Sequence, residues 1–337
     1  MGGKQIEIRW CEDNNNPNDA VKCARAATRD GTVAVVGSNS QFSQPLTEVL
    51  AAAKVPCVGS VGATAAESKC AVCYRFDAGA QLIFGGLAPQ MKADGVKSVS
   101  MIRRDIAIAA ETSKSASTAA RASGLDVKED IKIGASTTDL APAVATLEAS
   151  GADGGMLLVP NEAALAFIKA AGQAGYKGPL GAVDSQIQTG LADLGPAAPQ
   201  LRVVSAQPPV TAVKEYPGLA RYAKELDAEK ASGDSAAGIR NSTSLRAWLS
   251  VHVAAQVAAK VTGKLTATSM NDFFGTATNI DLFGILPTWT PSAKGTVKGF
   301  ERLSNAQVFF LRVENGQFVL APGAMHGLDL NTRRPLT

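Results

Sequence analysis

The stretch from Thr32 to Thr64 constrains the fold most, because two short apolar runs flank a single amphipathic helical pattern. The runs at residues 33–36 and 55–58 are apolar and rich in valine, which is typical of strands buried on both faces of a sheet. Between them, Ser43 is predicted to cap a helix whose apolar residues recur at helical spacing: Leu46, Val49, Leu50 and Ala53. A strand, a helix and a second strand in this order predict a parallel βαβ unit.

The same alternation continues along most of the chain. Residues 6–10 alternate apolar and polar side chains as a strand does, and Asn16 with Pro17 predicts a helix that ends at Gly31. Further strands are predicted at 96–102, 127–133, 156–159 and 180–183, with helices at 80–93, 110–123, 140–150, 162–174 and 186–194. Later segments are helices at 218–230, 242–261 and 268–274, a strand near 281–286 and a hairpin over 306–320. This order predicts the α/β class, with parallel sheets and right-handed crossovers.

Length, charge and hydropathy limit the function classes. The 337 residues suffice for two domains, and a net charge of +3 from 33 basic and 30 acidic residues is too balanced for a nucleic-acid footprint. No apolar run approaches the roughly 20 residues of a membrane span. Residues 1–4 lead almost directly into a predicted strand, without a signal peptide.

The sequence lacks the motifs of common α/β enzymes. No GxGxxG follows the early strands, and no P-loop occurs. The two histidines, His252 and His326, are far apart, and His252 lies in an apolar helical run where we expect it to be packed. A single CxxC without a nearby histidine is a weak zinc signal. We therefore predict no catalytic residue, no metal and no cofactor.

The five cysteines predict two disulfides. We expect Cys11 to bond to Cys23 and Cys70 to Cys73, with Cys57 buried and unpaired. Two disulfides imply an oxidising, extracytoplasmic location. The alternative is five reduced thiols.

Small polar residues follow both strands of the 32–64 stretch. The loops at 37–41 and 59–64 leave the carboxyl ends of neighbouring strands, where parallel sheets hold ligands. The first loop also presents the positive end of a helix dipole, which suits an anion such as a carboxylate. These loops are the predicted binding site, and two ordinary βα connections are the alternative.

Several short segments give the chain a resemblance to a known family. These are Gly3-Lys4-Gln5-Ile6-Glu7-Ile8, Asp13 before Pro17, Ala20-Val21, Val33-Ala34-Val35-Val36-Gly37, Val55-Pro56, Ala63-Thr64, Gly172 to Gly178 around Tyr176, and Gly299-Phe300. With them the chain resembles type I periplasmic solute-binding proteins of the branched-chain amino acid (leucine/isoleucine/valine-binding) ABC transporter group.

The resemblance implies two α/β lobes, each a parallel sheet flanked by helices, joined by three crossovers and closing on a ligand between them. Lobe one is expected at 1–97 and 207–304, and lobe two at 98–206 and 305–330. Members of this family begin with a strand and helix upstream of the first residues here. The first strand and helix of lobe one are therefore expected to be missing, through a truncated start or replacement by a partner chain.

The resemblance also assigns site residues. Ser38, Ser40, Gln41 and the Thr64 N–H would bind a ligand carboxylate. The Gly62 carbonyl and the Thr64 hydroxyl, beside Ala63, would accept from an ammonium group. Asp184 would bind the same ammonium from lobe two, and its alternative role is to cap the helix that follows.

The expected wall of the site departs from the family. Relatives that hold leucine-like side chains use aromatic residues from lobe two, but the loops at 103–107 and 160–162 contain no Tyr or Trp. Candidate wall residues are Phe42, Arg104, Asp105 and Asn161, although Phe42 is alternatively core and Arg104 with Asp105 alternatively a solvated pair. A second carboxylate, an amide or an aromatic acid is therefore as defensible a ligand as leucine.

The resemblance implies a non-catalytic receptor that delivers an amino acid or related small carboxylate to the membrane permease of an ABC importer. The intact precursor would then be extracytoplasmic, either periplasmic or a cell-surface lipoprotein. A sensory or regulatory domain of the same fold is the alternative. The expected partners are a small-molecule ligand and a permease, and no nucleic acid.

Overall fold

A computed structural model describes residues 5–29, 31–62, 64–134, 136–323 and 325–336. The chain divides into two compact units. Unit 1 comprises residues 1–81, 213–307 and 330–332, and unit 2 comprises residues 82–212, 308–329 and 333–337. The predicted lobes, 1–97 with 207–304 and 98–206 with 305–330, stay a prediction beside these units.

Helices and strands alternate through the first two thirds of the described chain. The α-helices are α1 Pro17–Arg29, α2 Ser43–Ala52, α3 Ala65–Lys69, α4 Gly79–Ala93, α5 Ala107–Ala122, α6 Ala141–Ala149, α7 Asn161–Ala174, α8 Asp184–Ile187, α9 Gly218–Ala231, α10 Ser242–Lys260 and α11 Ala267–Thr276. The strands are β1 Val35–Val36, β2 Cys57–Val58, β3 Cys73–Tyr74, β4 Ser98–Arg104, β5 Asp126–Ile133, β6 Gly154–Leu158, β7 Leu180–Val183, β8 Leu201–Ser205, β9 Gln307–Glu314, β10 Gln317–Leu320, β11 Gly327–Asp329 and β12 Arg334–Leu336. The α/β class, with mostly parallel sheets flanked by helices, is confirmed.

Unit 1 contains a small parallel sheet in the order β1-β2-β3. Each strand has only two residues, and Cys57 pairs with Val35 on one side and Cys73 on the other. The sheet is stabilised by apolar side chains from α1 and α2 that pack with those of the strands: Ala24, Leu46, Leu50, Val55, Cys57, Val72 and Cys73. Removal of this apolar surface from water is the main favourable term for so short a sheet.

Unit 2 contains the larger sheet, in the order β12-β11-β9-β8-β7-β6-β4-β5 with β10 beside β9. Strands β4 to β8 pair in parallel, and β9 joins β8 in the antiparallel direction. All residues of β6 and β7 are buried, as expected for strands covered on both faces. The predicted hairpin is confirmed by the antiparallel pairing of β9 with β10.

Three predicted elements are wrong. Residues 6–10 form no strand, and Ile8 and Trp10 are 61% and 84% exposed. The segment near 281–286 contains only isolated bridges, such as the one between Phe283 and Leu286. The predicted helix at 186–194 is instead α8 followed by a short 3-10 turn at Leu191–Asp193. Alternating side chains indicate a possible strand, but a strand also needs a partner edge, which a local pattern does not specify.

Both predicted disulfides are confirmed. Cys11 is bonded to Cys23, and Cys70 to Cys73. Cys57 is buried and free, and burial raises the pKa of its thiol to about 12. Among the described residues, none of the helices is long and apolar enough to span a bilayer, and no three metal-ligating side chains form a group.

Candidate functional site

The carboxyl ends of β1, β2 and β3 lie at one edge of unit 1, as parallel pairing requires. The loops that leave them are tied together by backbone hydrogen bonds. The Val61 N–H donates to the Ser38 carbonyl over 2.9 Å, and the Gly59 N–H donates to the Tyr74 carbonyl over 2.8 Å. The structure therefore brings together the two predicted loops, which contain Ser38 and Gly62.

Gly59 shows how closely this edge is packed. A Cβ placed on Gly59 would lie 2.0 Å from the Ser250 Oγ and 2.6 Å from the Phe76 ring, and its φ is +67°. Only glycine adopts that backbone at low cost and leaves room for these neighbours. The loop is thus held against α10, which carries Ser250.

Ser40, Gln41 and Phe42 follow β1 and differ in exposure. Ser40 is buried, and its hydroxyl donates to the Asp13 carboxylate over 2.5 Å while it accepts from the Phe42 N–H over 3.1 Å. Gln41 is exposed and Phe42 is half-buried. The Ser40 hydroxyl, predicted to bind the ligand carboxylate, is therefore engaged within unit 1.

The predicted N-cap of α2 is wrong. Phe42 holds the N-cap position without a side-chain hydrogen bond, and Ser43 is the first helical residue. The Ser43 hydroxyl instead bonds to the Thr64 hydroxyl over 2.7 Å. This contact between the loops after β1 and β2 replaces the cap.

Thr64 has both of its predicted ligand groups in use. Besides the Ser43 contact, its N–H donates to the Glu67 carboxylate over 3.2 Å, which caps the short helix α3. Gly62 is buried with φ +69°. Ala63 was also predicted to line the site, and it lies outside the described residues.

Arg75 is a candidate site residue that the sequence analysis missed. It directly follows β3 and is 4% exposed. Its Nη2 donates to the Ser68 hydroxyl over 3.1 Å, and its Nη1 has no hydrogen-bond partner among the described residues. Burial lowers the pKa of the guanidinium, and the carboxylates of Glu67 and Asp77 oppose that shift.

Arg75 was missed because its strand gives almost no sequence signal. β3 has two residues and starts at Cys73, the last residue of the Cys70-Ala71-Val72-Cys73 segment that we interpreted as a disulfide-bonded turn. The available signal was the apolar run that contains Cys57. A strand buried on both faces is typical of the interior of a parallel sheet, and such a strand has a neighbour at each edge, which here is β1 on one side and β3 on the other.

Asp77 fixes the start of α4 close to the same edge. One carboxylate oxygen accepts from the Gly79 N–H over 3.0 Å, and the other accepts from the Arg246 Nε over 2.9 Å. Both side chains of this ion pair are almost completely buried. A buried pair of this kind is costly to break from one side, because the remaining charge stays unpaired.

In unit 2, Asp184 lies at the carboxyl end of β7 and is 4% exposed. Its carboxylate accepts from the Ser205 hydroxyl over 2.8 Å. The alternative role as an N-cap is wrong, because Val183 holds the N-cap position and its N–H donates to the Gln186 side chain over 2.9 Å. Asp184 is therefore the first residue of α8.

The other predicted residues of unit 2 follow β4 and β6. The Arg104 Nη1 donates to the carbonyls of Gly134 and Thr137 over 2.6 and 2.9 Å. The Asp105 side chain is 59% exposed, which fits the solvated alternative, but its carboxylate lies 3.4 Å from Arg103 and thus pairs with Arg103. Asn161 is exposed at the start of α7. These residues lie along the strand ends of one sheet, but only Asp184 is buried.

His252 is packed, as expected. Its Nε2 lies 2.8 Å from the Glu225 carboxylate, and its ring lies 4.1 Å from the Trp248 ring. The Trp248 Nε1 donates to the same carboxylate over 2.7 Å.

The sheet order and the polar strand ends define an α/β ligand-binding fold of the type I periplasmic binding class. The sequence model of the periplasmic binding protein family matches residues 1–316, and the chain belongs to this family. Several of the structural neighbours are described as extracellular ligand-binding receptors or as solute-binding proteins of ABC transporters. None of the curated proteins compared with the chain matches it.

Three solved structures show the same fold. An extracellular ligand-binding receptor from Rhodopseudomonas palustris HaA2 is 17% identical, with a TM-score of 0.76 over 95% of this chain and 91% of that one. A solute-binding protein of an R. palustris ABC transporter, in complex with benzoate, is 14% identical, with a TM-score of 0.74 over 98% and 88%. A putative branched-chain amino acid ABC transporter protein from Rhodospirillum rubrum is 17% identical, with a TM-score of 0.65 over 94% and 88%.

Proposed function

We propose that this protein is the solute receptor of an ABC importer and that it presents a small carboxylate to a membrane permease. The carrying observation is the polar edge of unit 1, where Ser38, Gly62 and the buried Arg75 follow three adjacent parallel strands. Such an edge is the usual ligand position in open parallel sheets. A cation and small-residue loops at this edge favour an anionic solute.

The solute class is narrowed by what the structural neighbours bind. One is described as a benzoate complex and another as a branched-chain amino acid transporter protein. The two ligand types share one carboxylate and one apolar body of similar size. We therefore propose a monocarboxylate with an apolar or aromatic body, with Ser38, Ser40, Gln41, Phe42, Gly62 and Thr64 as its contacts in unit 1.

A melting-temperature screen tests this function, because a solute that binds only the folded state raises the melting temperature. The probes are benzoate, L-leucine and the neutral isostere benzamide, each at a series of concentrations. We expect benzoate or leucine to raise the melting temperature in a concentration-dependent way and to be recovered unchanged. A flat response to both carboxylates contradicts the proposed solute class, and conversion of a bound probe into product contradicts the receptor role.

A further inference from the structure

One buried nitrogen at the ligand edge of unit 1, the Arg75 Nη1, has no hydrogen-bond partner among the described residues. Arg75 directly follows β3, which pairs with β2, and it is 4% exposed. A buried donor without a partner is costly, and such donors are uncommon except where a ligand or a water satisfies them.

The Arg75 Nη1 packs against the loop at 59–64. It lies 2.0 Å from the place that a Cβ on Gly62 would occupy and 2.9 Å from the corresponding place on Gly79. The guanidinium therefore fills the space of the side chain that Gly62 lacks. Gly62 belongs to the 59–64 loop, to which the proposed function assigns the solute.

The carboxylates near Arg75 are hydrogen-bonded to other groups, and the Arg75 Nη1 has no hydrogen-bond acceptor among the described residues. The Asp77 carboxylate is paired with Arg246, and the Glu67 carboxylate holds the Thr64 N–H. Both carboxylates act on the Arg75 guanidinium through their charge, and the Arg75 Nη2 donates to the Ser68 hydroxyl. Of the two terminal nitrogens of the Arg75 guanidinium, Nη2 therefore has a hydrogen-bond acceptor and Nη1, which lies against Gly62, has none among the described residues.

We propose that the Arg75 Nη1 is the anion-binding donor of unit 1, and that the solute carboxylate reaches it when Gly62, which packs against this nitrogen, moves aside. Glycine changes its backbone conformation at the lowest cost, so Gly62 is the residue of the loop that can turn aside for the anion. This inference rests on the proposed function and adds to it the residue that selects a carboxylate over a neutral solute.

Two variants of Arg75 with unbranched side chains of similar length test the role of its charge. Arg75→Met removes the donor and the charge, whereas Arg75→Lys keeps a cation without the planar fork. Calorimetric titration should show benzoate affinity lower by about 10- to 100-fold in Arg75→Met, the loss expected for a hydrogen bond to a charged group. Arg75→Lys should retain part of the benzoate affinity, and benzamide affinity should be nearly the same in all three proteins.

The ratio of benzoate to benzamide affinity separates recognition from folding, because a purely structural role of Arg75 would weaken both ligands equally. The matched control is Arg25→Met, which removes an exposed arginine of helix α1 in the same unit. It should leave the ratio unchanged. Melting temperatures of all variants report whether each has folded.

The outcomes distinguish this inference from the proposed function. If the wild-type protein binds benzoate or leucine and Arg75→Met keeps the full preference for the carboxylate, only the role of Arg75 is overturned. If the wild-type protein binds benzamide as tightly as benzoate, the role of Arg75 is overturned even where Arg75→Met does not fold. If the wild-type protein binds neither carboxylate, the proposed solute class fails and this inference fails with it.

Discussion

Asp184 is a carboxylate almost without solvent contact at the strand ends of unit 2, and its oxygen accepts from the Ser205 hydroxyl. That hydroxyl also accepts from the Gln207 N–H over 3.2 Å, so the three residues form one chain of hydrogen bonds. Asp184 stays the proposed partner of a solute ammonium group, because a carboxylate accepts a charge-assisted hydrogen bond from an amine.

The prediction for Asp184 compares solutes with and without an amine. Asp184→Asn keeps the shape of the side chain and removes its charge, so it should lower L-leucine affinity by about 10- to 100-fold, as for a charge-assisted hydrogen bond. Benzoate has no amine, and its affinity should change little. The control Ser205→Ala keeps the carboxylate and should keep the preference for the amine. Leucine binding of wild-type strength in Asp184→Asn, measured by titration calorimetry, would show that the residue serves the fold alone.

At the scale of the elements, each of the two disulfides closes a loop within unit 1. Cys11 joins an exposed segment to α1, and its partner Cys23 lies 12 residues further on. Cys73 lies 3 positions after Cys70 and is the first residue of β3. A cross-link stabilises mainly by restricting the unfolded chain, and the effect grows with the length of the closed loop.

The loop lengths predict the order of the two effects. Replacing Cys11 and Cys23 together by serine should cost about 3 kcal/mol of unfolding free energy, and replacing Cys70 and Cys73 about 2 kcal/mol. Urea unfolding of the two double variants measures both costs. Cys57→Ser is the control for the loss of sulfur, although it buries a hydroxyl. A larger loss for the Cys70–Cys73 pair would show that this disulfide supports β3 and Arg75 beyond its chain-entropy effect.

The sequence predicts long helices well, because their signal is local. Helix α7 was expected at 162–174 and lies at Asn161–Ala174, and α10 was expected at 242–261 and lies at Ser242–Lys260. The strands of unit 1 are harder, since two residues carry almost no periodicity and their pairing is decided by distant segments. Residues 6–10 show the opposite error, where a clear alternation exists without a paired edge.

A candidate site residue could be predicted from the sequence only where the strand before it could be predicted. Ser38 and Gly62 follow from the rule that parallel strands gather their carboxyl ends at one edge, once β1 and β2 are recognised. Arg75 needs β3, and β3 is visible only in the folded chain. The hydrogen bonds that occupy Ser40 and Thr64 join residues 27 and 21 positions apart, which no local pattern indicates.

At the scale of the whole molecule, several carboxylates connect folding to pH. The backbone N–H groups of Lys97 and Ser98 hold the pKa of Asp153 below its usual value. Burial raises the pKa of Glu225, but its hydrogen bonds from Arg221, Trp248 and His252 outweigh burial and lower it overall. A carboxyl group with a lowered pKa in the folded state stabilises above its unfolded pKa, and the stabilisation is lost as pH falls through the folded value.

Buried acids act at the other end of the pH range. Burial raises the pKa of Tyr176 and of Cys57 to about 12. Both groups are neutral when folded, so their contribution is complete below their unfolded pKa values and is lost as pH rises towards 12. The melting temperature should therefore be highest near neutral pH, fall below about pH 4 and fall again above about pH 9.

Asp153→Asn should lower the melting temperature at pH 7 and make the decrease of the melting temperature below about pH 4 (the acid limb) shallower, because asparagine does not titrate. Asp126→Asn changes an exposed carboxylate of the same unit and should leave that limb as it is. An acid limb equally steep in Asp153→Asn and in the wild-type protein would mean that the N–H groups of Lys97 and Ser98 contribute nothing to acid sensitivity.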